Sequence, residues 1–469
     1  MKKLNEIFDC EYNTPIQDVK INSKEVQPGD LFVCTMGVTA DRHDFIDEAI
    51  KNGAAAIVVS KDIQNKSVPI IRVKNTNEAL YTICEKVYDY PQKKLEMIGV
   101  TGTNGKTSVA EILYQLLDDC AYLGTNGKKY KNHSEMIRNT CPDVDRSYKY
   151  FKEFLDHGCK RLVMEASSEA MYWHRLDKIE YDTCILTNIT EDHLNIHKTL
   201  ENYVECKAKL FSLVKENGYS ILNSGSKYLD KIKSYAKGKI LTYGFNKTDD
   251  LYIENYVEGK TLDITFVYKG EKLFVKSPLL GSFNVLNLAA ALLVCLTRNM
   301  DKNTIIKRIE NLSQIEGRLE VLNFKQDYML ILDYAHTTDA FKNILGYLNK
   351  IKKKRIITLT GSAGGREKEK RPLMGKTVLE NSDYVIFTMD DPRYESVNAI
   401  IDDLVSESKN TNYERILDRK EAIKKALDIA EKEDIVLIAG KGRDNYMAVK
   451  DKYLPYKDYE VIEEYFKNK

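Results

Sequence analysis

One stretch of the sequence, Ile98 to Val109, has the residues of a phosphate-binding loop. A short apolar run is followed by glycines at 102 and 105, and Lys106-Thr107 then open a segment with helical apolar spacing. Bare N–H groups at the N-terminus of a helix attract an anion, and glycines let the backbone approach phosphate oxygens. The lysine can reach the outer phosphates, and the threonine hydroxyl can bind Mg²⁺.

The loop departs from the usual spacing at one position. The pattern G-x-x-x-x-G-K-[ST] requires a glycine at position 100, where this chain has valine. An ordinary Gly/Asn turn between a strand and a helix is the alternative interpretation. The order of strand, two glycines, Lys-Thr and helix favours phosphate binding.

Two further polar clusters follow strand-like segments. Glu165 comes after the apolar run Arg161–Met164 and is followed by hydroxyl groups, among them Ser167, whereas His193 lies beside acids after Cys184–Thr187. Glu165, as a carboxylate at the end of a strand, can bind Mg²⁺ while Ser167 contacts a substrate. A serine that caps a helix explains the same pattern. A histidine beside acids can bind a metal, and the residues alone leave that open.

The segment Leu200–Asn217 has the spacing of an amphipathic helix. Tyr203, Lys207, Leu210 and Val214 fall on one face, so that Lys207 lies along the apolar stripe. A lysine in that position either extends its ammonium group to water or loses its charge. A neutral buried amine can add CO₂ and become a carbamate, which offers oxygens to a hard cation. The residues alone favour the extended, charged lysine.

The last third of the chain carries arginines, aspartates and glycines in short clusters near strand-like segments. Open α/β sheets bind ligands at the carboxyl ends of their strands. These residue types suit a triphosphate, a ribose and a zwitterionic amino acid, although each cluster alone is a weak indication. The clusters are Glu316–Glu320, Asp333–Ala340, Gly364–Arg366, Lys370–Gly375, Asp390–Arg393 and Gly440–Asp444.

The elements that position these clusters alternate between strand and helix, which predicts an α/β fold with parallel sheets covered on both faces. A length of 469 residues suggests about three domains, and we divide the chain at 1–90, 91–312 and 313–469. Tyrosine-rich alternation around 251–275 predicts antiparallel hairpins added to the central sheet. A helix is expected at Asn284–Leu296.

Composition narrows the class of protein. A net charge of +1 argues against a surface that coats nucleic acid. Nine cysteines without a C-x-x-C pair fit a reducing cytosol. The first residues contain no apolar signal segment, and the longest apolar segment is too short to cross a bilayer. We therefore expect a cytoplasmic protein without a membrane span.

Together, and in this order, the motifs resemble those of the Mur ligases over nearly the whole chain. The likeness is to the MurE type, which extends UDP-N-acetylmuramoyl-L-alanyl-D-glutamate by one amino acid. It implies three domains: an N-terminal UDP-substrate domain, a central P-loop ATPase domain with a parallel sheet, and a C-terminal Rossmann-like domain that binds the amino acid. It also implies ATP and Mg²⁺ as cofactors, a free amino acid as a substrate, no nucleic-acid partner, and a monomer.

The resemblance also implies roles for individual residues. The implied catalytic residues are Lys106, Glu165, His193 and Lys207. The implied ATP contacts are Gly102, Thr103, Asn104, Gly105, Lys106, Thr107, Ser108, Asn284, Asn287, Arg318 and Asp333. The implied magnesium ligands are Thr107, Glu165, His193 and a CO₂-derived carbamate on Lys207, which reverses the preference for a charged lysine. The implied substrate contacts are Ser23, Thr140, Cys141, Ser167, Arg175, Asp390, Asp391, Arg393, Gly440 and Asp444.

Several substrate positions differ from the family's pattern. Cys141 replaces the second threonine of a Thr-Thr-Pro loop, and Glu169 stands where histidine is common. Asp391 replaces the asparagine of the diaminopimelate-type Asp-Asn-Pro-Arg motif, and Arg443-Asp444 replace His-Glu. Because Arg393 suits the distal carboxylate of diaminopimelate, that amino acid is slightly favoured over lysine.

Two alternatives stay open at this point. One is another Mur-type amide ligase, such as a MurF-type or folylpolyglutamate synthetase-like enzyme, against which Arg371–Gly375 and the Asp-Pro-Arg at 391–393 favour the MurE type. The other is a non-ligating nucleotide-binding relative, which the drifted substrate positions suggest. Since ATP and the amino acid are expected on different domains, a ligase of this type should close its domains on binding.

Overall fold

The computed structural model describes residues 1–37, 40–64 and 66–469. Three sheets with parallel strands follow one another along the chain, each with its own covering helices, and this confirms the α/β fold class. None of the described helices is long and apolar enough to cross a membrane.

The N-terminal domain is built on a small parallel sheet. Its described residues contain four parallel strands in the order β3-β4-β5-β6, and a separate antiparallel pair, β1-β2. The strands are β1 Lys2–Lys3, β2 Pro15–Ile16, β3 Val19–Lys20, β4 Leu31–Val33, β5 Ala56–Val59 and β6 Ile70–Arg72; the helices are α1 Leu4–Ile7, α2 Ile46–Lys51 and α3 Thr76–Val87, with 3-10 turns at Ser23–Glu25 and Arg42–Phe45.

The central domain contains the largest sheet. Residues 91–312 are all described, and eleven of their strands form one sheet in the order β10-β9-β8-β11-β7-β12-β13-β14-β15-β16-β17. The strands are β7 Glu96–Thr101, β8 Cys120–Gly124, β9 Gly127–Tyr130, β10 His133–Glu135, β11 Arg161–Glu165, β12 Tyr181–Leu186, β13 Val214–Asn223, β14 Lys239–Gly244, β15 Leu251–Glu258, β16 Leu262–Tyr268 and β17 Glu271–Ser277. The helices are α4 Pro91–Lys94, α5 Lys106–Leu116, α6 Val144–Asp156, α7 Ser168–Tyr172, α8 Leu194–His197, α9 Leu200–Phe211, α10 Leu229–Lys233, α11 Phe283–Thr297 and α12 Lys302–Glu310.

Strand β7 lies between β11 and β12 and runs parallel to both. Glu165 at the end of β11 pairs with Val100, and Leu186 at the end of β12 pairs with Thr101. Because the carboxyl ends of parallel strands meet at one edge of a sheet, the loops after β7, β11 and β12 converge. The expected antiparallel hairpins are formed by β15, β16 and β17. Strand β15 also pairs with β14 in parallel and so connects the hairpins to the rest of the sheet.

One local prediction in the central domain is wrong. The helix predicted over Leu200–Asn217 ends at Phe211, and Val214 instead begins strand β13, where it pairs with Tyr181. The polar stretch after α11 contains a helix, α12, whose first turn is capped by the carboxylate of Asp301. Most of its residues are polar and only Ile305 and Ile309 are buried, so its apolar signal in the sequence is weak.

The C-terminal domain has a sheet that is parallel except at one edge. In residues 313–469, which are all described, six strands have the order β18-β19-β23-β20-β21-β22, with β18 antiparallel. The strands are β18 Glu320–Leu322, β19 Met329–Asp333, β20 Ile356–Thr360, β21 Tyr384–Phe387, β22 Tyr413–Arg415 and β23 Ile435–Ala439, and a hairpin is formed by β24 Tyr446–Val449 and β25 Lys452–Pro455. The helices are α13 Thr338–Ile351, α14 Arg371–Asn381, α15 Val397–Val405, α16 Arg419–Asp428 and α17 Asp458–Lys467.

Candidate active site

The loop between β7 and α5 has the backbone that its glycines predict. A Cβ atom on Gly102 would lie 1.8 Å from Thr187 Oγ1, and Gly105, at φ +84°, would place one 2.6 Å from Asn287 Oδ1. Both positions therefore require glycine. Helix α5 begins directly afterwards at Lys106, and the N–H groups of its first turn have no intrahelical acceptor. They are the donors that this loop offers to a phosphate.

Two lysine side chains converge on the same carbonyl of this loop. Lys106 Nζ donates to Gly102 O (2.9 Å) and Thr103 O (2.8 Å), and Lys207 Nζ donates to Gly102 O at 2.8 Å. Burial lowers the pKa of Lys106, and burial together with the Lys106 charge holds the pKa of Lys207 well below its usual value. The two amines thus lie side by side at the loop, and the pKa of each is lowered.

Lys207 does not extend its ammonium group to solvent, contrary to the expectation from the residues alone. The side chain projects from α9 into the interior and only 1% of the residue is exposed. Its Nζ lies 4.5 Å from the centre of the Tyr203 ring. Burial of this kind favours the neutral amine, which is the form that reacts with CO₂.

Glu165 and Thr107 meet beneath the loop. The buried carboxylate of Glu165 accepts hydrogen bonds from the Tyr122 hydroxyl (2.7 Å) and Thr125 N–H (2.8 Å) on Oε1. On Oε2 it accepts from the hydroxyls of Thr107 (3.1 Å) and Thr125 (3.2 Å). One carboxylate beside one hydroxyl at a phosphate loop fits Mg²⁺, which proteins usually bind with one or two carboxylates together with phosphate oxygens and waters. The described residues contain no group of three or more His, Cys, Asp or Glu side chains that could hold a metal ion.

His193 follows β12 in the left-handed conformation, at φ +57°. Its Nδ1 lies 3.3 Å from Glu169 Oε1, and its Nε2 lies 3.5 Å from Asp192 Oδ2. Burial lowers the pKa of His193 against the opposing effect of the Asp192 charge, and the Lys106 charge lowers it further. The imidazole is therefore held neutral, which is the form that binds metals.

The predicted nucleotide-side residues outside the loop also surround it. Arg318 Nη2 donates to Thr107 Oγ1 at 2.8 Å, and Asn287 donates to Asn284 Oδ1 at 2.9 Å beside Gly105. Asp333 is different, because its carboxylate accepts from the backbone N–H groups of Leu319 (2.6 Å) and Ala335 (2.7 Å). In this structure it shapes the segment that carries Arg318.

Four of the five predicted substrate residues in the first two domains lie together beside Glu165. Cys141 Sγ donates to Glu165 O (3.0 Å) and accepts from Ser167 N–H (3.3 Å), and Arg175 donates to Cys141 O at 3.3 Å. Thr140 Oγ1 is 3.2 Å from Thr125 Oγ1. Ser167 also caps helix α7 through Ala170 N–H, so the structural role anticipated for this serine is present.

Ser23 lies in the N-terminal domain, apart from that group. Its hydroxyl donates to Glu48 Oε2 at 2.5 Å, and its carbonyl accepts from Asn52 at 2.8 Å. The 3-10 turn that carries it is capped by the side chain of Asn22, which accepts from Lys24 N–H. These bonds hold the Asn22-Ser23-Lys24 turn in a defined shape.

The predicted amino-acid residues surround a lysine that the sequence analysis did not single out. Lys441 Nζ lies 2.8 Å from Asp391, 3.3 Å from Asp444 and 3.9 Å from Asp390, and the residue is 1% exposed. Burial opposes its charge, but the three aspartates outweigh burial and raise the pKa of Lys441. Burial, with the charges of Asp390 and Asp391, raises the pKa of Asp444 to about 6 although Lys441 opposes it. Gly440, at φ +107°, approaches Asp390 so closely that a Cβ would lie 2.3 Å from its carboxylate.

Arg393 stands next to this acidic cluster. Its backbone pairs with β24, since Arg393 N–H donates to Ala448 O (3.0 Å) and Lys450 N–H donates to Arg393 O (2.9 Å). Within the described residues its guanidinium has no carboxylate within 4.0 Å. The acidic cluster and the arginine together offer complementary charges to a ligand with both ammonium and carboxylate groups.

The C-terminal domain lies against the phosphate loop. Asn104 donates to Asp339 Oδ2 at 2.9 Å, and Lys370 Nζ lies 3.6 Å from Asp192. Farther out, the Arg138 guanidinium stacks over the Tyr453 ring at 4.4 Å. The domains that carry the two halves of the site are therefore in contact in this structure.

Comparisons with known proteins identify the family of the chain. Three family models match the chain: "Mur ligase family, catalytic domain" at residues 15–91, "Mur ligase middle domain" at 100–295, and "Mur ligase, glutamate ligase domain" at 317–442. The chain belongs to the Mur ligase family.

Individual relatives within the family include ligases of one named type. A protein of Clostridium botulinum named UDP-N-acetylmuramoyl-L-alanyl-D-glutamate–2,6-diaminopimelate ligase is 35% identical, over 100% of this chain and 98% of its own length. A solved structure of a ligase with the same name is 27% identical, with a TM-score of 0.67 over 100% of this chain and 99% of that one. The MurF ligase of Thermotoga maritima in complex with ADP, at 22% identity, shares the fold with a TM-score of 0.69 over 96% of this chain and 97% of that one.

Proposed function

We propose that this enzyme joins diaminopimelate to UDP-N-acetylmuramoyl-L-alanyl-D-glutamate at the cost of ATP. The observation that carries the proposal is the meeting of two domains at the phosphate loop. Asp339 of the C-terminal domain accepts from Asn104 at 2.9 Å, and Arg318 of the segment that enters that domain donates to Thr107 at 2.8 Å. A ligase that must bring a nucleotide and an amino acid together from two domains needs such a meeting point.

The reaction follows from the chemistry of the acceptor. A carboxylate is a poor electrophile because oxide would have to leave. Transfer of the γ-phosphoryl group of ATP to the D-glutamyl γ-carboxylate gives an acyl phosphate and ADP, and the amine of the incoming amino acid then attacks the acyl carbon. The tetrahedral intermediate loses phosphate, the amine loses a proton, and the amide bond remains. Lys106 and Arg318 contribute by positioning and neutralising the phosphates.

The metal and the modified lysine belong to the same proposal. Thr107 and Glu165 would hold one Mg²⁺, and His193 with a carbamate on Lys207 would hold a second. Bound Mg²⁺ would neutralise charge on the phosphate oxygens. Support for the carbamate comes from the burial of Lys207 and its lowered pKa, which keep the amine in its nucleophilic form.

Diaminopimelate is the amino acid that the C-terminal site suits. It carries two ammonium and two carboxylate groups. Asp391 and Asp444 can receive an ammonium group, and Arg393 can receive the distal carboxylate. The names of the relatives in Clostridium botulinum and Bacillus cereus specify the same amino acid.

We further propose that the enzyme acts as a cytoplasmic monomer. All nine cysteines are free thiols, which suits a reducing compartment. Light scattering of the purified protein tests the monomer, and fractionation of the source cells tests the compartment.

A ligation assay tests the function. Purified enzyme is incubated with ATP, UDP-N-acetylmuramoyl-L-alanyl-D-glutamate and either diaminopimelate, lysine or another amino acid, and the product mass and phosphate release are recorded. We expect phosphate release and a tripeptide mass only when all three substrates are present, with diaminopimelate preferred. Lys106→Ala should abolish both signals.

Two other outcomes would each revise the proposal. Preference for lysine would overturn the choice of amino acid and leave the ligase intact. Nucleotide binding without ligation of any amino acid would show that the chain is a non-ligating member of the family.

A further inference from the structure

An ion pair between half-buried Arg443 and buried Glu320 connects the amino-acid loop to the segment that enters the C-terminal domain. Arg443, in the loop Gly440–Asp444, donates to Glu320 Oε2 through Nε at 3.0 Å and to Oε1 through Nη2. Glu320 is the first residue of β18, and its side chain is only 9% exposed. The Arg443 guanidinium also stacks on the Tyr459 ring at 3.8 Å, so that its orientation is fixed from two sides.

The same carboxylate holds the backbone next to Arg318. Glu320 Oε2 accepts the N–H of Gly317 at 2.7 Å, and Gly317 directly precedes the arginine that bonds to Thr107. A carboxylate that receives both a guanidinium and a backbone N–H is a strong, directional anchor. The position of Arg443 is therefore transmitted to Gly317 through one side chain.

A second contact joins these segments through Tyr334. Gly317 has φ +67° and Gly442 has φ +49°, and a Cβ on either would lie 2.4–2.5 Å from an atom of the Tyr334 ring. The ring thus lies between the two glycines, and its face is 4.6 Å from the Arg318 guanidinium. Closely packed groups of this kind resist continuous deformation and move together.

We propose that Glu320 and Arg443 are positioning residues that couple amino-acid binding to the placement of Arg318 at the ATP site. The inference rests on the proposed function, since it requires that the loop Gly440–Asp444 bind the incoming amino acid. Asp444 and Lys441 of that loop belong to the cluster with Asp390 and Asp391, whereas the Arg443 guanidinium bonds to Glu320. Ordering of the loop by the amino acid fixes Arg443, and through Glu320 and Gly317 it fixes Arg318 against Thr107.

The coupling is measurable as a change in nucleotide affinity. Binding of a non-hydrolysable ATP analogue is measured by calorimetry with UDP-N-acetylmuramoyl-L-alanyl-D-glutamate present, with and without diaminopimelate. For the native chain we expect the amino acid to tighten analogue binding by about fivefold or more, the usual lower range for coupled sites. The effect must be reciprocal, so the analogue should tighten amino-acid binding by the same factor.

Three variants and a control separate coupling from a structural role. Glu320→Gln keeps an acceptor for Gly317 N–H, Arg443→Met keeps the apolar stem, and Arg443→Lys keeps the charge without the two-point geometry. Arg415→Met removes another ion pair of the same domain, with Asp402 at 2.6 Å, on β22 at the opposite edge of the sheet from β18.

We expect Glu320→Gln and Arg443→Met each to reduce the coupling factor to near one. The double variant should have the same coupling factor as either single variant. Arg443→Lys should keep an intermediate factor, and Arg415→Met the full one. The Kd for the ATP analogue should exceed the native value in the coupled variants only when the amino acid is present.

Specific results would overturn the proposal. A native enzyme that ligates but shows no coupling contradicts it while the proposed function stands. If the variants have a lower Tm but keep the native coupling factor, the pair has a purely structural role. Absence of ligation by the native enzyme is a different result, because it removes the proposed function itself.

Discussion

Lys207 shows how far a single side chain can be interpreted from sequence. Its place on the apolar stripe of a helix was visible in the spacing, but spacing alone favoured an extended ammonium group. The structure instead directs the amine to Gly102 O, beside Lys106. Which of the two occurs depends on a loop about one hundred residues earlier in the chain, and no local pattern contains that information.

Replacement of Lys207 tests the role of its buried amine. Lys207→Ala should reduce ligation at least about 100-fold, because the oxygens that a carbamate would supply are lost. Short carboxylic acids added at high concentration should restore part of the rate by supplying those oxygens. Phosphate release is the measurement, and Lys209→Ala, an exposed position on the same helix, is the control. Full activity of Lys207→Ala would contradict the carbamate.

Arg393 offers a second test at this scale. Arg393→Ala should raise KM for diaminopimelate by about 10- to 100-fold, since a hydrogen-bonded charge contact contributes roughly 1.5–3 kcal/mol. KM for ATP should not change, because the residue lies on the amino-acid side of the site. Steady-state kinetics with each substrate varied in turn measures this, with Lys450→Ala as a neighbouring control. A rise in both KM values would indicate a disturbed fold.

Lys441 was missed for a physical reason. Its two flanking glycines indicated a loop, but its importance lies in three aspartates that the fold brings to it from positions 390, 391 and 444. Asp192, which faces both His193 and Lys370, was passed over in the same way. By contrast, the phosphate loop was predictable because its function resides in contiguous residues.

At the scale of elements, the sequence pattern predicted the strands that precede Glu165 and His193 and was wrong where a helix meets a strand. Val214 continues the apolar stripe of α9 and also begins the buried strand β13, so its spacing fits both. The choice is made by pairing with Tyr181 of β12, a contact that is distant in sequence. The hairpins of 251–277 were predictable because alternation and glycines specify them locally.

Helix α6 carries a feature with a measurable effect on stability. Burial and the nearby Asp143 raise the pKa of Asp145, in its first turn, from 3.8 to about 7. Its Oδ1 has no hydrogen-bond partner among the described residues. A raised pKa means that the folded state binds the proton more tightly than the unfolded state, so this contribution to stability is present below pH 3.8 and is lost as the pH rises toward 7.

Asp145→Asn should therefore stabilise the protein increasingly as the pH rises. We expect a gain of about 1–3 kcal/mol in the free energy of unfolding between pH 5 and pH 8, levelling off above pH 7, since one pKa unit corresponds to about 1.4 kcal/mol. Urea unfolding at pH 5, 6, 7 and 8 measures it. Asp156→Asn, at the exposed end of the same helix, should show no such trend. A gain that is equal at every pH would indicate that Asp145 is not the titrating group.

For the molecule as a whole, the central and C-terminal domains are in contact, an arrangement that we call closed. These contacts predict that closed molecules predominate without substrates, and that the loss of one contact shifts the ratio of closed to open molecules. An exposed cation–π contact such as Arg138 on Tyr453 contributes about 0.5–1 kcal/mol. Tyr453→Ala should shift the ratio of closed to open molecules by about two- to fivefold toward open.

Small-angle X-ray scattering measures this shift as a larger radius of gyration of Tyr453→Ala without substrates. With all substrates bound, the radius should return to the native value because ligand contacts dominate. Tyr394→Ala removes an exposed ring whose hydroxyl bonds to Asp451 in the turn of the same hairpin, whereas Arg138 stacks on Tyr453, and this control should leave the radius unchanged. An unchanged radius for Tyr453→Ala would show that the stacking does not contribute to closure.

The place where the chain crosses between these domains has a mechanical consequence. Residues 311–319 make the crossing, and within them Glu316 accepts a bond from Asn126 while Arg318 bonds to Thr107. Because these two contacts lie within the crossing itself, they are close to the axis of a rotation about it, whereas the hairpin β24–β25 belongs to the domain that rotates. Opening wide enough to admit an amino acid therefore displaces the nucleotide side very little. ATP can therefore remain bound while the part of the C-terminal domain that carries the hairpin β24–β25 moves. This predicts an ordered reaction in which the nucleotide binds first.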